Sequence, residues 1–217
     1  MKRIFSEIEP VPGTEFKITG EDAAHISRSL RAKRGERIVI SSQGYEYVCE
    51  ITGLSRDSVT LFVGEGSPSM QEPEINIILF MGYPKGDKLE SVIQKSTELG
   101  VKAVVPFVAD RSVARPSSHS AQQRWDRWQR IAKEAAKQSG RGEIPQIHPL
   151  KSYEEAIRLG MDADFRLFCY ECGGTPLSEA LQSANLGKNK VISAFIGPEG
   201  GFSLNEVDTG HSSATIL

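Results

Sequence analysis

Val191-Ile192-Ser193-Ala194-Phe195-Ile196-Gly197-Pro198-Glu199-Gly200-Gly201-Phe202-Ser203 is the stretch whose reading decides the fold. Val191–Phe195 is an apolar, β-rich run and reads as a buried strand. Glycines follow, with Pro198 stiffening the loop. Ser203 then stands three residues before Glu206, the spacing of a helix-opening capping box. The order is strand, glycine loop, helix start. Glycines remove the Cβ atoms that keep a ligand away from backbone N–H and C=O groups. A loop outside the carboxyl end of a strand is where open α/β sheets place ligands. The alternative is a tight turn that binds nothing. The pattern is neither G-x-G-x-x-G nor a Walker A loop, which argues against an ordinary dinucleotide or triphosphate site.

Outward from this loop the chain alternates strands and helices. Ile75–Met81, Ala103–Val108, Phe165–Tyr170 and Val191–Ile196 read as strands. Helices fall over Lys88–Leu99, about Ser120–Ser139, and near Leu177–Ala184. Asp87 can cap the first of these helices and Gly100 can end it. Such alternation predicts a parallel sheet with helices on both faces. The first third differs. Val39–Ser41 and Tyr45–Ile51 flank Gln43-Gly44, a hairpin signal, and Ser58–Val63 is a further strand. Glu21–Ala32 reads as a short helix. The fold class is therefore α/β, with a small N-terminal β-barrel over residues 1–70 and an α/β domain over 74–217. Glu65–Pro73 reads as the linker between them.

The net charge is −2, so any polyanion-binding surface must be local. Arg28, Arg31, Lys33, Arg34 and Arg37 form one cluster, with Glu36 the only acid inside it. From Arg111 to Arg141, eight Lys/Arg (111, 115, 124, 127, 130, 133, 137, 141) face two acids, Asp126 and Glu134. With Lys85, Lys88 and Arg111 these suggest an extended surface for phosphates; solvated helix faces are the alternative. Trp125, Trp128, Ala132 and Ala135 share a helical face and read as core or an oligomer contact. Cys169 and Cys172 form one C-x-x-C without the second pair of a structural zinc site; no metal is expected. Met1–Glu9 has no secretory pattern and no segment is long and apolar enough to span a bilayer, so a cytoplasmic protein is expected.

Several motifs occur in a fixed order: Tyr83-Pro84-Lys85-Gly86-Asp87-Lys88, Gln94–Val101, Asp110-Arg111-Ser112, Arg124-Trp125, Ile131–Arg141 with Ile144-Pro145, and Ile196–Phe202. The ordered set resembles the bacterial 16S ribosomal RNA uracil-N3 methyltransferases of the SPOUT superfamily. His25-Ile26, Leu30-Arg31 and Gly35–Ile38 are similar to the PUA-like RNA-binding domain of that family. The resemblance implies a trefoil-knotted α/β domain, S-adenosylmethionine as methyl donor, a homodimer, and 16S ribosomal RNA in the small subunit as partner. It implies cofactor contacts at Ile196, Gly197, Pro198, Glu199, Gly200 and Gly201, with the strand end at Tyr170 and Glu171 as a second wall. Uracil N3 lies on the Watson–Crick edge, so the base must be unpaired or flipped. Arg111, in a loop after a strand, is the candidate for stabilising the developing uracilate or positioning the RNA; a salt bridge within its own loop is the alternative. The sequence does not name the general base: Glu199 is a candidate, and a loop-structuring carboxylate is the preferred reading of it. Arg28, Arg31, Lys33, Arg34, Lys85, Lys88 and Arg141 are the candidate RNA contacts, spread over both domains.

The family pattern continues beyond the glycine loop with a helix, a strand and a motif of the form L-G-x-R-I-L-R-x-E-T-A. Ala214–Leu217 fit that strand, and the motif is absent. The expectation is a truncated C-terminus that leaves the knot incomplete and the cofactor pocket short of one wall. Two other readings stand beside methyl transfer: a non-catalytic RNA- or ribosome-binding protein of this fold, and an α/β enzyme using another adenine cofactor.

Overall fold

The structure is a computed structural model that describes residues 2–55, 57–114, 118–184, 186–211 and 214–217; for residues 118–120 and 211 it describes the backbone alone. Arg115, counted above among the cations, lies outside the described residues. The chain divides into two compact units, one of residues Met1–Glu72 with Ala136–Ile144, the other of Pro73–Ala135 with Pro145–Leu217.

In the first unit, β1 (Lys2–Phe5), β2 (Glu15–Thr19), β3 (Arg37–Ser42), β4 (Tyr45–Leu54) and β5 (Ser58–Pro68) form one sheet in the order β1-β3-β4-β5-β2. β1 and β3 run parallel and the other pairs antiparallel. β1 and β2 are the free edges, so the sheet is an open half-barrel rather than a closed one. Alternation along β4 sends Tyr47, Cys49 and Ile51 inward, where they meet Ile38, Ile40, Val59, Leu61 and Val63. Gln43 and Gly44 both take positive φ, 50° and 80°, as a two-residue hairpin turn requires. β5 continues to Pro68, pairing Pro68 with Tyr45, so the expected linker begins only after it. A proline is tolerated there because it ends the strand.

The expected helix at 21–32 is α1 (Gly20–Ala24), which passes into a π-helical turn over His25–Ser29. Ser27 Oγ donates back to the Ala23 carbonyl, and the Leu30 amide reaches His25 O. The turn closes with Arg31 at φ 46°, a left-handed position that usually holds glycine, while Ala32 N–H returns to Ile26 O.

In the second unit, β6 (Asn76–Gly82), α2 (Lys88–Glu98), β7 (Ala103–Val108), α3 (Ser118–Ser139), β8 (Gln146–Ile147), β9 (Lys151–Ser152), α4 (Tyr153–Gly160), β10 (Phe165–Cys169), α5 (Leu177–Ala184), β11 (Val191–Ile196), α6 (Leu204–His211) and β12 (Thr215–Ile216) follow in turn; the last residues of α3 belong to the first unit. The sheet is parallel, in the order β12-β10-β11-β6-β7-β8, with β9 also on β7. β6 and β11 lie side by side in its middle, and Phe80 stacks on Phe195 with ring centroids 4.3 Å apart. Phe107, Tyr153, Phe168 and Phe202 complete this aromatic core. Trp128, Ala132 and Ala135 are buried, as the helical stripe predicts. Gly100 ends α2 at φ 99°, with Val101 N–H bonded to Ser96 O and Gly100 N–H to Thr97 O. Asp87 does not cap α2: its side chain makes no cap bond, and its own carbonyl accepts from Glu90 N instead.

Candidate functional site

β10 and β11 are neighbours in register, Cys169 opposite Ile196, so the two chain segments that leave them diverge from one point. Between them is a cavity of about 290 Å³ lined by Cys169, Tyr170, Glu171, Ile196, Gly197, Pro198, Gly201, Phe202 and Leu217. Phe202 anchors the glycine loop from below: it is 1% exposed and its ring lies 4.2 Å from that of Phe168. Ile196 is 38% exposed, an apolar side chain offered to the cavity rather than to the core. Gly201 takes φ 67°, and a Cβ there would stand 2.7 Å from Glu171 Oε1. Of the residues read as a cofactor site, Tyr170, Glu171, Ile196, Gly197, Pro198 and Gly201 come together here, while Glu199 and Gly200 point elsewhere. Burial raises the Cys169 thiol pKa and, joined by a bond to Cys172, that of the Tyr170 phenol.

Gly82, at the end of β6, touches the same loop. A Cβ on Gly82 would lie 2.5 Å from both Cδ and N of Pro198 and 2.8 Å from Gly197 C. The strand and the loop are thus in backbone contact that only glycine permits. The sequence reading passed over Gly82 because the contact joins positions 115 residues apart, from Gly82 to Gly197.

Glu199 turns outward. Its carboxylate accepts from the Lys85 amide at 3.2 Å and from Lys88 Nζ at 2.7 Å. The Lys88 bond, then backbone donors, hold its pKa down to about 2. A carboxylate so acidic is a poor proton acceptor near neutral pH; it clasps the loop at residues 83–88 to the glycine loop, as the sequence reading preferred. Lys88 is accordingly engaged by Glu199, although its side chain stays 64% exposed. Lys85 is exposed.

Arg111 lies in the loop after β7 and donates from Nη1 to the Gly200 carbonyl at 3.3 Å. Gly200 therefore faces Arg111 rather than the cavity; a Cβ on it would lie 3.0 Å from Arg111 O. A second tie lies beneath. The Glu206 carboxylate, 4% exposed, accepts from Asp110 N at 2.9 Å with one oxygen and from Ser203 N at 2.8 Å with the other. Ser203 Oγ accepts from Glu206 N, completing the expected capping box, and donates to Asp110 Oδ2 at 2.7 Å. One buried side chain thus holds the Arg111 loop against the end of the glycine loop. Tyr153 donates to Glu206 O; burial first, then the Glu206 charge, raises its phenol pKa.

The remaining candidates divide by unit. Arg28, Arg31, Lys33 and Arg34 are exposed around the π-helical turn of the first unit. Arg141 is not available to RNA, which corrects the sequence reading. It is 2% exposed and its guanidinium bonds Glu72, with Nη2 to Oε2 at 2.6 Å. Burial raises the Glu72 pKa, but the Arg141 bonds and the Gly142 and Glu143 amides outweigh it and leave the pKa lowered. Among the described residues no cluster has the makings of a metal site, and no helix is long and apolar enough to cross a membrane.

Comparison with known proteins follows this geometry. A family model described as an RNA methyltransferase domain matches residues 71–216, and one described as an RNA methyltransferase PUA domain matches 18–63. Ribosomal RNA small subunit methyltransferase E of Bacillus subtilis is 38% identical, over 96% of this chain and 84% of that protein. A crystal structure of a hypothetical protein superposes with TM-score 0.90 at 36% identity, over 99% of this chain and 88% of that one. At the level of fold, ribosomal RNA small subunit methyltransferase E from Neisseria gonorrhoeae, solved bound to S-adenosyl methionine, superposes with TM-score 0.84 at 24% identity, over 100% of this chain and 88% of that one.

Proposed function

We propose that this chain, which belongs to the RNA methyltransferase family and carries that family's PUA domain, transfers a methyl group from S-adenosylmethionine to N3 of a uridine in small-subunit ribosomal RNA. The observation that carries the reading is the cavity where β10 and β11 end, walled by the glycine loop. Its residues fit the cofactor. Gly197 and Gly201 leave room beside the backbone, Ile196 and Leu217 offer apolar surface for a purine, and the Glu171 carboxylate suits ribose hydroxyls or a positive sulfonium. Bound there, S-adenosylmethionine supplies an electrophilic methyl group.

The chain's own contribution is positioning and charge stabilisation. N3 first gives up its proton to solvent, leaving negative charge spread over N3 and the uracil oxygens; the bond from N3 to the methyl carbon then forms as the methyl–sulfur bond breaks, its electron pair staying on the sulfur of the departing neutral thioether. Arg111 spends one donor on Gly200 O and keeps others for that charge. Glu199 and Glu206 fix the two loops between which the base is presented, and neither serves as the base that takes the proton.

Calorimetry with S-adenosylmethionine, and methyl incorporation into small-subunit particles lacking the modification, test the reading. Gly201→Val, which places a side chain in the cavity at a left-handed position, should remove cofactor binding while the protein stays folded. A folded Gly201→Val protein that binds as tightly as its parent, or a parent that binds none, would refute the proposal.

The PUA unit is proposed to bind RNA phosphates through Arg28, Arg31, Lys33 and Arg34. Arg31 supports this because a left-handed arginine is strained by ~1 kcal/mol where glycine would be relaxed. Arg31→Gly should therefore raise stability by about 0.5–1 kcal/mol. It should also weaken RNA binding several-fold and reduce the salt slope by roughly one phosphate contact. Denaturant unfolding and RNA titrations at several salt concentrations read both effects. An unchanged RNA affinity and salt slope would remove Arg31 from the interface.

A further inference from the structure

A second cavity, of about 560 Å³, lies between the start of α2 and the N-terminal half of α3. Its floor is Tyr83, Leu89 and Trp128, each less than 5% exposed, and the Tyr83 and Trp128 rings lie 6.2 Å apart. Arg124 and Arg127 stand on its rim, one helical turn apart on α3. Both guanidinium groups are already oriented. Arg124 Nη1 donates to the Tyr83 hydroxyl, and Arg127 Nη2 donates to Glu90 Oε2 at 2.7 Å. A guanidinium has five donors in a fixed fork, so each keeps donors for an incoming oxyanion. The Arg127 side chain remains 57% exposed despite its ion pair.

The groove also adjoins the candidate methyl-transfer site. Its wall residues Tyr83 and Gly86 flank, in sequence, Lys85, whose amide bonds Glu199 of the glycine loop. An apolar, aromatic-lined floor with two oriented cations at its edge fits a base and its phosphate. It does not fit a bare anion, which has no use for the floor; Asp87 and Glu90 beside the arginines suit it to the single charge of one phosphodiester rather than to the several carboxylates of an acidic peptide.

We propose that this groove seats a nucleotide of the RNA substrate next to the one that is methylated, its base against Tyr83, Leu89 and Trp128 and its phosphate on Arg124 and Arg127. The proposal rests on the methyl-transfer reading and deepens it by naming a second RNA subsite. It assigns Arg124 and Arg127 to substrate affinity rather than to the methyl-transfer step.

Arg127→Ala and Arg124→Gln, each checked for folding by circular dichroism, test it on the full chain. Three quantities are read: S-adenosylmethionine affinity by calorimetry, affinity for a fluorescent small-subunit ribosomal RNA fragment across salt concentrations, and the KM and kcat of methyl transfer. The expected result is unchanged cofactor affinity, RNA binding weakened at least fivefold, KM raised by a similar factor, and kcat nearly held. The salt slope should fall by about one contact for each arginine removed. Folded variants with the parent's RNA affinity and salt slope, beside a parent that methylates RNA, overturn the groove and leave the methyl-transfer reading standing. A parent that binds neither cofactor nor RNA overturns the methyl-transfer reading, and the groove falls with it.

Discussion

Gly82→Ala should disable the glycine loop without replacing any residue that lines the cavity. The added methyl would lie 2.5 Å from Pro198 Cδ and N, where carbon contacts settle at about 3.5–4.0 Å. Relief requires the loop to move by about 1 Å, because Gly82 is fixed in the middle of the sheet. β6 pairs with β11 on one side and β7 on the other, and Met81 stands opposite Ile196. The obstructing atoms are largely backbone, and Pro198 cannot rotate away as a flexible side chain would. Overpacking of this kind costs about 1–3 kcal/mol, and a displacement of ~1 Å at a positioning element can lower a rate by ~100-fold. Thermal unfolding and calorimetry with S-adenosylmethionine give the check. Cofactor affinity should fall at least tenfold while the far-UV spectrum stays native. An alanine variant with the parent's melting temperature and affinity would show that the loop yields freely and that the contact is incidental.

What could be read in the sequence is what is encoded over a few residues. The four long strands of the parallel sheet stood out as largely apolar runs, and each sends at least one side chain into the core: Phe80, Val105, Phe168 and Phe195. The Ser203–Glu206 capping box and the Gly100 helix end depend on neighbours within one turn, and both are present. Local encoding also shows where legibility stopped. β8 and β9 are two residues each, too short for any period. α4 was missed although Ser152 and Glu155 form a complete capping box, because its eight residues fell between stronger signals. Asp87 had the right identity and position for a cap, yet its backbone, at φ −95° and ψ 13°, is not the extended conformation a capping residue takes.

The candidate site was legible in its glycines and in the strand that feeds them. Its supporting contacts join distant segments and leave no local trace. Arg141 illustrates the difference. It closed a run of eight cations from Arg111 onward, and only the fold brings Glu72, 69 residues away, to bury it. Helical periodicity reports which face a charge occupies; it does not report what covers that face. Gly82 is the converse: one glycine at a strand end, indistinguishable in sequence from a turn residue, becomes a close approach between two backbones.

Glu206→Ala should have the largest effect on stability. Its carboxylate is the acceptor for Asp110 N and Ser203 N, two amides that belong to different loops. Alanine would leave both without their charged partner in a poorly solvated place, at about 1–3 kcal/mol each, so a loss of roughly 2–5 kcal/mol is expected. Glu206→Gln keeps one acceptor oxygen and should recover about half of it. Hydrogen exchange separates this account from a general loosening. The Asp110 and Ser203 amides should exchange much faster in the alanine variant, while amides in the middle of β6 and β11 should follow only the global change. Methyl transfer adds a second readout. Once the loop after β7 is released, Arg111 loses its fixed distance to Gly200, so kcat should fall further than cofactor affinity. If both amides exchange at the parent's rate in Glu206→Ala, water or a neighbouring group has replaced the carboxylate, and the tie between the two loops does not depend on Glu206.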